Sequence, residues 1–186
     1  MERSTHTLAV KSQKWLVQAL IALIQTKPYE EISISELCKE AGLDRRTFYR
    51  NFKDKTDVLL FYFSDLQEEY LLALKQMPER SFYSLALVYF EFWTSHLDFF
   101  KTAQYDQALN AALFQTLNTF MPAVYAEADG NIPRELRYNV SFVVGGFHNS
   151  MIQWITTGFH ETAEEMAAII SGMFKGSISY WPMLDE

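Results

Sequence analysis

Cysteine, glycine and proline are all scarce in this chain of 186 residues. A single cysteine excludes a disulfide framework and a zinc site built from cysteines. Seven glycines and five prolines exclude a collagen-like or linker-dominated chain, and they argue against a turn-rich all-β fold. Because 49% of the residues are apolar, disorder over most of the chain is excluded as well.

The sequence also lacks long apolar runs. No window approaches the ~18 uninterrupted apolar residues of a membrane span. Residues 1–6 contain no apolar segment of the kind that a signal peptide needs. We therefore expect a cytoplasmic protein that has no membrane partner.

Catalytic and metal-binding motifs are missing too. The chain has no G-x-G-x-x-G, no P-loop, no H-E-x-x-H and no G-x-S-x-G. His6, His96, His148 and His160 occupy separate segments at no metal-ligand spacing. We therefore expect no enzymatic activity, no cofactor and no metal site. The alternative is an enzyme with an aromatic pocket. Paired groups with strongly shifted pKa values in a cavity would favour that alternative.

Acidic residues outnumber basic ones, and the formal net charge is −7. The excess of acidic residues is unevenly distributed. Residues 1–57 hold 10 Lys and Arg and 8 Asp and Glu, whereas residues 58–186 hold 6 Lys and Arg and 15 Asp and Glu. A globally acidic protein is a poor nucleic-acid binder on its total charge, but a local basic surface can still bind DNA. The question is therefore where the N-terminal basic residues point.

The N-terminal third carries the signals of a helix followed by a capped second helix. Apolar residues within 8–26 recur at spacings of three and four, which predicts an amphipathic helix. Ser33 and Glu36 match a capping box before a second helix that runs to Ala41. Gly42 follows directly, where a left-handed residue often ends a helix.

A third short helix is predicted over residues 45–52, with Asp44 as its N-cap. Two helices of about eight residues joined by a glycine-containing turn form the layout of a helix-turn-helix. Phe48 and Phe52 share the inward face of the third helix at i,i+4 spacing. The adjacent arc holds Arg45, Arg46, Tyr49, Arg50 and Lys53. This arc predicts a DNA-binding surface, and the alternative is a solvated basic face on a small helical bundle.

Over roughly residues 8–60 the chain resembles the DNA-binding domain of the TetR family of bacterial transcriptional regulators. Residues 34–43 read ISELCKEAGL, residues 44–52 read DRRTFYRNF and residues 53–59 read KDKTDVL. The Ala-Gly-Leu turn, the Thr-Phe-Tyr-x-x-Phe helix and the following lysine carry the resemblance together. It implies an all-α homodimer whose divergent C-terminal domain senses a ligand or mediates assembly.

The resemblance implies roles for the matching positions. Thr47 and Tyr49 would contact phosphates or nearby bases, and Lys55 would contact a phosphate. Arg46 departs from the small residue of many relatives, and Asn51 departs from a frequent histidine. Arg46 thereby becomes a candidate for recognising guanine. An arginine that donates two hydrogen bonds to guanine favours it over other bases by ~1–3 kcal/mol. The predicted DNA-contacting set is Ser33, Arg45, Arg46, Thr47, Tyr49, Arg50, Lys53 and Lys55.

The remaining two-thirds of the chain also reads as helical. Helices are predicted over residues 55–76, 81–100, 104–126 and 134–157, with a last one starting at Thr162 in a capping box with Glu165. Met121-Pro122 is expected to break the helix over 104–126. The fold class is therefore all-α with about nine helices. We divide it into a DNA-binding domain over 1–57 and a helical regulatory and dimerisation domain over 58–186.

Aromatic and methionine side chains are abundant in the second domain, and most of them are expected in its core. The remainder predicts an apolar cavity for a small hydrophobic or aromatic effector. His96 is the polar candidate because it falls on the apolar side of its helix, although a hydrogen-bonded core histidine is the alternative. The predicted pocket residues are Phe92, Trp93, His96, Phe114, Phe147, Met151 and Trp154.

The last two predicted helices carry a packing seam with spacings of three and four residues. In the TetR family the matching helices pair across a two-fold axis, so we predict a dimer interface there. Periodicity does not distinguish that interface from an intramolecular core, which is the alternative. The predicted interface residues are Leu136, Val140, Val143, Met166, Ile170, Met173 and Phe174.

The sequence thus predicts a homodimeric, ligand-responsive regulator, with repression as the leading mode, whose partners are double-stranded DNA and a second copy of itself. The alternative is an activator, or a regulator whose C-terminal domain binds a protein instead of a small molecule.

Overall fold

The computed structural model describes residues 2–79, 81–103, 105–124 and 132–173. In these ranges the chain forms nine α-helices, a 3-10 turn at Tyr29–Glu31 and no strand, which confirms the all-α prediction. The helices are α1 Glu2–Ile24, α2 Ile34–Glu40, α3 Arg45–Asn51, α4 Lys55–Lys75, α5 Phe82–Ser95, α6 Leu97–Ala103, α7 Gln107–Val124, α8 Arg134–Thr156 and α9 Ala163–Gly172. None of the described helices combines the length and apolarity needed to cross a bilayer.

The helix ends of the N-terminal unit form as their residues predict. The Ser33 hydroxyl accepts a hydrogen bond from the Glu36 amide at 3.2 Å, and the Glu36 carboxylate accepts one from the Ser33 amide at 3.0 Å. Gly42 has φ +65°, a left-handed conformation that glycine adopts without steric cost. The Asp44 carboxylate caps α3 by accepting from the Thr47 amide at 2.6 Å. These local bonds fix the angle at which α3 leaves α2.

The inward face of α3 anchors it to α1 and α2. Phe48 is completely buried, and Phe52 lies beside it with a ring-centroid separation of 6.2 Å. Leu16 and Leu37 are also completely buried in the same core. Burying an aromatic side chain contributes about 1.5–3 kcal/mol, so this contact decides which side of α3 faces solvent.

Helix α4 joins the N-terminal unit to the body of the molecule. It begins at Lys55 and buries Val58, Leu59, Phe63 and Leu66 within its first three turns. The buried residues belong to one hydrophobic core that runs through both parts. The predicted boundary at residue 57 therefore falls inside the first turn of a helix, with no linker there.

A set of polar contacts also ties the two parts together, and we call it the junction: Gln25, Tyr29, Asp98, Thr102 and Asp106. The Gln25 amide donates to the Asp98 carbonyl at 3.2 Å and accepts from the Thr102 hydroxyl at 2.9 Å. The Asp106 carboxylate accepts the Tyr29 amide at 2.7 Å, and its other oxygen accepts amides of the first turn of α7. The end of α1 and the 3-10 turn are thus fixed to α6 and α7.

Two predicted helix boundaries are wrong. The helix expected over 81–100 is divided into α5 and α6 at His96, whose Nδ1 lies 3.0 Å from the Phe92 carbonyl. The Ser95 hydroxyl donates to that same carbonyl at 2.6 Å, so side chains replace the helical bonding of the last turn. The break expected at Met121-Pro122 does not occur, and α7 continues to Val124. Pro122 lacks an N–H and so removes one backbone hydrogen bond of α7, but the described helix continues past it.

The body packs mainly through aromatic side chains, with α9 along α5 and α8 along α7. Tyr89 and Phe90 of α5 meet Phe147 and Trp154 of α8 at ring-centroid distances of 5.0 Å and 5.5 Å. Edge-to-face and tilted aromatic pairs of this kind contribute about 0.5–1.5 kcal/mol each beyond their burial. Most of the aromatic side chains of the body therefore serve its core, as expected from composition.

Candidate functional site

The solvent-facing side of α3 is basic, and we call it the basic face of α3. Arg45, Arg46, Tyr49 and Arg50 are all exposed, whereas Phe48 on the same helix is completely buried. The Tyr49 ring packs edge-on against the Phe48 ring, with 5.3 Å between the centroids. The Tyr49 side chain is nevertheless half exposed to solvent. The helix thus presents arginines and a phenol to solvent on a rigid support.

Arg45 and Tyr49 are held as a pair. The Arg45 guanidinium donates to the Tyr49 hydroxyl at 3.2 Å and to the Ser35 hydroxyl at 3.5 Å. Ser35 belongs to the first turn of α2, so the contact joins the two helices of the helix-turn-helix. Sequence reasoning missed Ser35, because a serine ten residues before an arginine gives no periodic signal.

Arg46, Arg50 and Lys53 extend their charged groups into solvent, and their side chains make no hydrogen bond with any residue that the structure describes. Asp44 has a pKa below its ordinary value, chiefly because of its hydrogen bonds with the amide and side chain of Thr47, and to a smaller extent because of the charges of Arg46 and Arg50. These cations have no strong partner to exchange for a phosphate or a base edge. They are therefore available to an anionic ligand at little desolvation cost.

The other predicted contact positions are partly occupied by local structure. Ser33 caps α2, and Thr47 donates its amide to Asp44. The Thr47 carbonyl accepts from the Asn51 side chain at 2.8 Å. Asn51, which departs from the family pattern, thus fixes the last turn of α3.

Lys55 has a different arrangement from the one expected. Its ammonium donates to the backbone carbonyls of Tyr29, Glu30 and Ile32 at 2.7, 2.9 and 3.1 Å. It also lies 4.5 Å from the centroid of the Tyr29 ring. An ammonium has three donor protons, and all three have acceptors here. In this structure Lys55 holds the 3-10 turn against α4, and its phosphate contact stays a prediction.

Two small apolar cavities lie in the part of the body that the structure describes. The first is lined by Tyr70, Leu85, Tyr89, Leu117, Met121 and Phe147 together with valines of α8. The second is lined by residues that include Phe63, Gln67, Tyr70, Phe92, Trp93 and Leu117. Three of the predicted pocket residues, Phe92, Trp93 and Phe147, therefore line one cavity or the other.

The remaining four predicted pocket residues line neither of these two cavities. His96 ends α5, and its Nε2 lies 3.5 Å from a Glu69 oxygen. Met151 and Trp154 are buried in the core, and Phe114 is 38% exposed at the surface of α7. The apolar side of a helical wheel marks burial, and it does not say which buried residues border empty space.

His148 is the buried histidine that sequence reasoning missed. It is 4% exposed, its Nε2 lies 2.8 Å from the Asn110 side-chain oxygen, and its ring packs between Phe100 and Phe114. Burial lowers the pKa of His148 to about 4. The imidazole is therefore neutral in the folded protein near pH 7.

Acidification is expected to destabilise the fold through His148. Its folded pKa of about 4 lies below the ordinary 6.5, so its stabilising contribution is complete above pH 6.5 and is lost as the pH falls toward 4. Between pH 7.5 and pH 5 the loss amounts to about 2 kcal/mol. Urea unfolding of the wild type and of His148→Leu at both pH values measures it. Equal pH dependence of the two proteins would contradict the assignment, and His96→Gln is the matched histidine control.

Most of the predicted dimer residues lie inside a single protomer. Leu136, Val140, Val143, Met166 and Ile170 are each at most 8% exposed, as in the intramolecular alternative. In this structure these five residues therefore pack within their own chain. Met173 is 66% exposed, and Phe174 lies outside the described residues.

Large apolar side chains on the opposite sides of α8 and α9 are exposed, and we call these residues together the outer face. Its large members are exposed by 54–67%: Tyr138, Phe142, Ile169 and Met173. Gly145 and Gly146 adjoin them on α8, and a Cβ added at either would meet no atom within 4 Å. Large exposed apolar side chains mark contact surfaces on soluble proteins where they form a contiguous patch.

Sequence comparison identifies known relatives of both parts of the chain. The family described as "Bacterial regulatory proteins, tetR family" matches residues 16–60, and the family described as "Transcriptional regulator C-terminal region" matches residues 80–176. The HTH-type transcriptional regulator EthR of Mycobacterium tuberculosis is 28% identical over 107 residues, which cover 53% of this chain and 50% of that protein. EthR of Mycobacterium bovis matches equally. The match spans about half the length of these curated relatives.

Solved structures share the fold over nearly the whole chain. A TetR transcriptional regulator from Streptococcus agalactiae 2603V superimposes with a TM-score of 0.65 at 17% identity, covering 93% of this chain and 98% of its own. The fatty acid degradation regulator FadR from Bacillus halodurans gives 0.62 at 15% identity, with coverages of 91% and 97%. Together with the two family matches, this shows that the chain belongs to the TetR family of bacterial transcriptional regulators.

Proposed function

We propose that this protein is a homodimeric, DNA-binding regulator in which each protomer inserts α3 into a major groove. The observation that carries the proposal is the basic face of α3, where exposed arginines stand on a helix that is anchored by the completely buried Phe48. Helix-turn-helix proteins read base edges with this second helix. The Arg45–Tyr49 pair would hold its shape on docking, since both side chains already have fixed partners.

The distribution of charge supports the same proposal. Arg46 and Arg50 lie one turn apart and extend into solvent, so each can fork onto a guanine or neutralise a phosphate. The body carries most of the negative charge of the chain and would be repelled by DNA. The protein would therefore meet DNA through α3, and its affinity would fall steeply with salt.

The outer face supplies the surface for a second copy. A two-fold interface places the same patch on both partners, so its apolar groups meet one another. Phe142 and Met173 would be covered in this way, and Gly146 would let two α8 backbones approach closely where they cross. Dimerisation through this face would set the two α3 helices at about one helical turn of DNA or a multiple of it, ~34–36 Å per turn.

An effector bound in the body would act through α4 and the junction, and release of the operator is the leading outcome. Helix α4 carries Tyr70 in the wall of both cavities and Lys55 against the 3-10 turn. A ligand shifts an equilibrium only by its difference in affinity for the two states. A state with a different α4 position would change the spacing of the two α3 helices.

Selection of genomic DNA fragments on the purified protein tests this function. We expect enrichment of fragments that share an inverted repeat, with an affinity for the repeat at least about a thousand-fold above that for random DNA. The slope of log affinity against log salt reports the number of phosphates contacted. If the selected fragments share no repeat and bind no more tightly than random DNA, the proposal fails.

A further inference from the structure

The hydroxyl of Tyr89 is a buried donor without an acceptor. Tyr89 is 5% exposed and lines the first cavity, and its hydroxyl has no hydrogen-bond partner in the part of the chain that the structure describes. Burying a donor without an acceptor is unfavourable, because its hydrogen bond to water is lost and not replaced. Phenylalanine would fill the same space without that cost. The hydroxyl therefore calls for a partner that the polypeptide does not provide.

Two other buried polar atoms share this condition, His148 Nδ1 and Trp154 Nε1. Neither residue lines either of the two cavities, whereas Tyr89 does. Among these three groups, only the Tyr89 hydroxyl thus belongs to a side chain that borders space a ligand could enter. This combination of a cavity with an unmatched donor points to a binding site.

Resting on the function proposed above, we propose that the effector is a neutral, largely apolar molecule with a hydrogen-bond acceptor, such as a ketone or ether oxygen, that binds beside the Tyr89 hydroxyl. The apolar part would occupy the space between α4, α5, α7 and α8. The acceptor would satisfy the orphaned donor.

The lining of the cavities requires the ligand to be uncharged. No charged side chain lines either cavity, and apart from tyrosine the polar lining consists of Gln67 and Thr116. A carboxylate or ammonium placed here would be desolvated without a counter-ion. Burial raises the pKa of Tyr89 well above 10, so its oxygen keeps its proton and acts as a donor. A hydrogen-bond acceptor on the ligand is therefore the complementary group.

The size of the cavities connects binding to movement. Each leaves only about 20 Å³ for the centre of a water molecule, which is room for about one water. Tyr70 and Leu117 line both cavities. A ligand larger than water must displace side chains of the lining, and Tyr70, which borders both cavities, belongs to α4. The ligand-bound state therefore differs from this structure in the helix that carries Lys55.

Titration calorimetry of the full chain without DNA tests the ligand class. The probes are alkyl phenyl ketones from acetophenone to octanophenone, n-alkylbenzenes of equal length, and phenylalkanoates of equal length. We expect at least one ketone to bind about five-fold more tightly than its alkylbenzene, as one neutral hydrogen bond provides. We expect no binding of the carboxylates. Failure of every ketone to bind, or binding of carboxylates as tight as that of ketones, overturns the proposal.

Tyr89→Phe separates the hydrogen bond from the cavity. The variant is expected to bind the ketone and the alkylbenzene equally, and to melt about 2–4 °C above the wild type because the orphaned hydroxyl is gone. Tyr83→Phe, on the exposed side of the same helix, should keep the five-fold preference. A variant at Tyr89 that retains the preference for ketones would contradict the assignment of the hydroxyl.

The outcome is independent of DNA binding. Ketone binding by a protein that selects no DNA would uphold the effector site and refute the regulator. Selection of a DNA repeat by a protein that binds no ketone would refute the effector class and uphold the regulator.

Discussion

Replacing Arg45, Arg46 and Tyr49 together with alanine is expected to abolish sequence-specific DNA binding while leaving the protein folded. All three side chains are exposed on α3, and the buried contacts of that helix are made by Phe48. An arginine that reads guanine contributes about 1–3 kcal/mol, and a dimer carries each arginine twice. The loss of affinity for the selected repeat is therefore expected to be about a thousand-fold or more.

Affinity measured by fluorescence anisotropy at several salt concentrations tests this expectation. The slope of log affinity against log salt should become shallower, because fewer counterions are released. Lys75→Ala with Arg137→Ala removes two positive charges from exposed positions on α4 and α8, and we expect it to change the affinity little. A triple variant that binds with unchanged affinity and salt slope would show that α3 is a solvated basic face.

Gly146→Leu is expected to separate the dimer proposed above into folded protomers. The position lies on the outer face, and an added Cβ meets no atom of its own protomer within 4 Å. Leucine also favours the helix over glycine by up to about 1 kcal/mol, so the protomer should be at least as stable. Between two crossing helices the same side chain would force the backbones apart. We expect the dimer dissociation constant to rise about 100-fold, with loss of tight operator binding.

Analytical ultracentrifugation across a range of concentrations, with thermal unfolding in parallel, measures both effects. Ser64→Leu adds the same side chain to an exposed position of α4 and should leave the dimer intact. Gly146→Ala is the graded control, with a smaller effect than leucine. A Gly146→Leu protein that remains dimeric at the wild-type dissociation constant would place the interface elsewhere.

The local structure of this chain was predictable because its signals lie within one helical turn. Ser33 and Glu36 form a capping box by their spacing, and Thr162 and Glu165 form another. Gly42 ends α2 because its own backbone is left-handed, a conformation that glycine adopts without steric cost. Phe48 lies on the inward face because helical periodicity sets it apart from the arginines. Each of these predictions needs only residues a few positions apart.

Predictions that depend on partners distant in the chain were less successful. Periodicity identifies the apolar side of α8, but it does not reveal that α5 and α7 of the same protomer cover Val140 and Val143. Lys55 lies next to a recognition-type helix, yet its acceptors are backbone carbonyls 23–26 residues earlier. Carbonyl groups are present at every residue, so no residue pattern marks them. Empty space beside Tyr89 is likewise a property of packing and has no signature in composition.

The junction has a consequence for building hybrid regulators. Asp106 satisfies the Tyr29 amide and caps α7 at the same time, and Lys55 occupies the carbonyls of the same 3-10 turn. A graft that cuts the chain near residue 57 would keep Lys55 with its acceptors but would separate Tyr29 from Asp106. A DNA-binding domain that is transferred to another regulator therefore needs an aspartate in the recipient. That aspartate must lie at the start of the recipient's α7 and face the 3-10 turn. Compatibility between donor and recipient therefore depends on this carboxylate in addition to the apolar surface that they share.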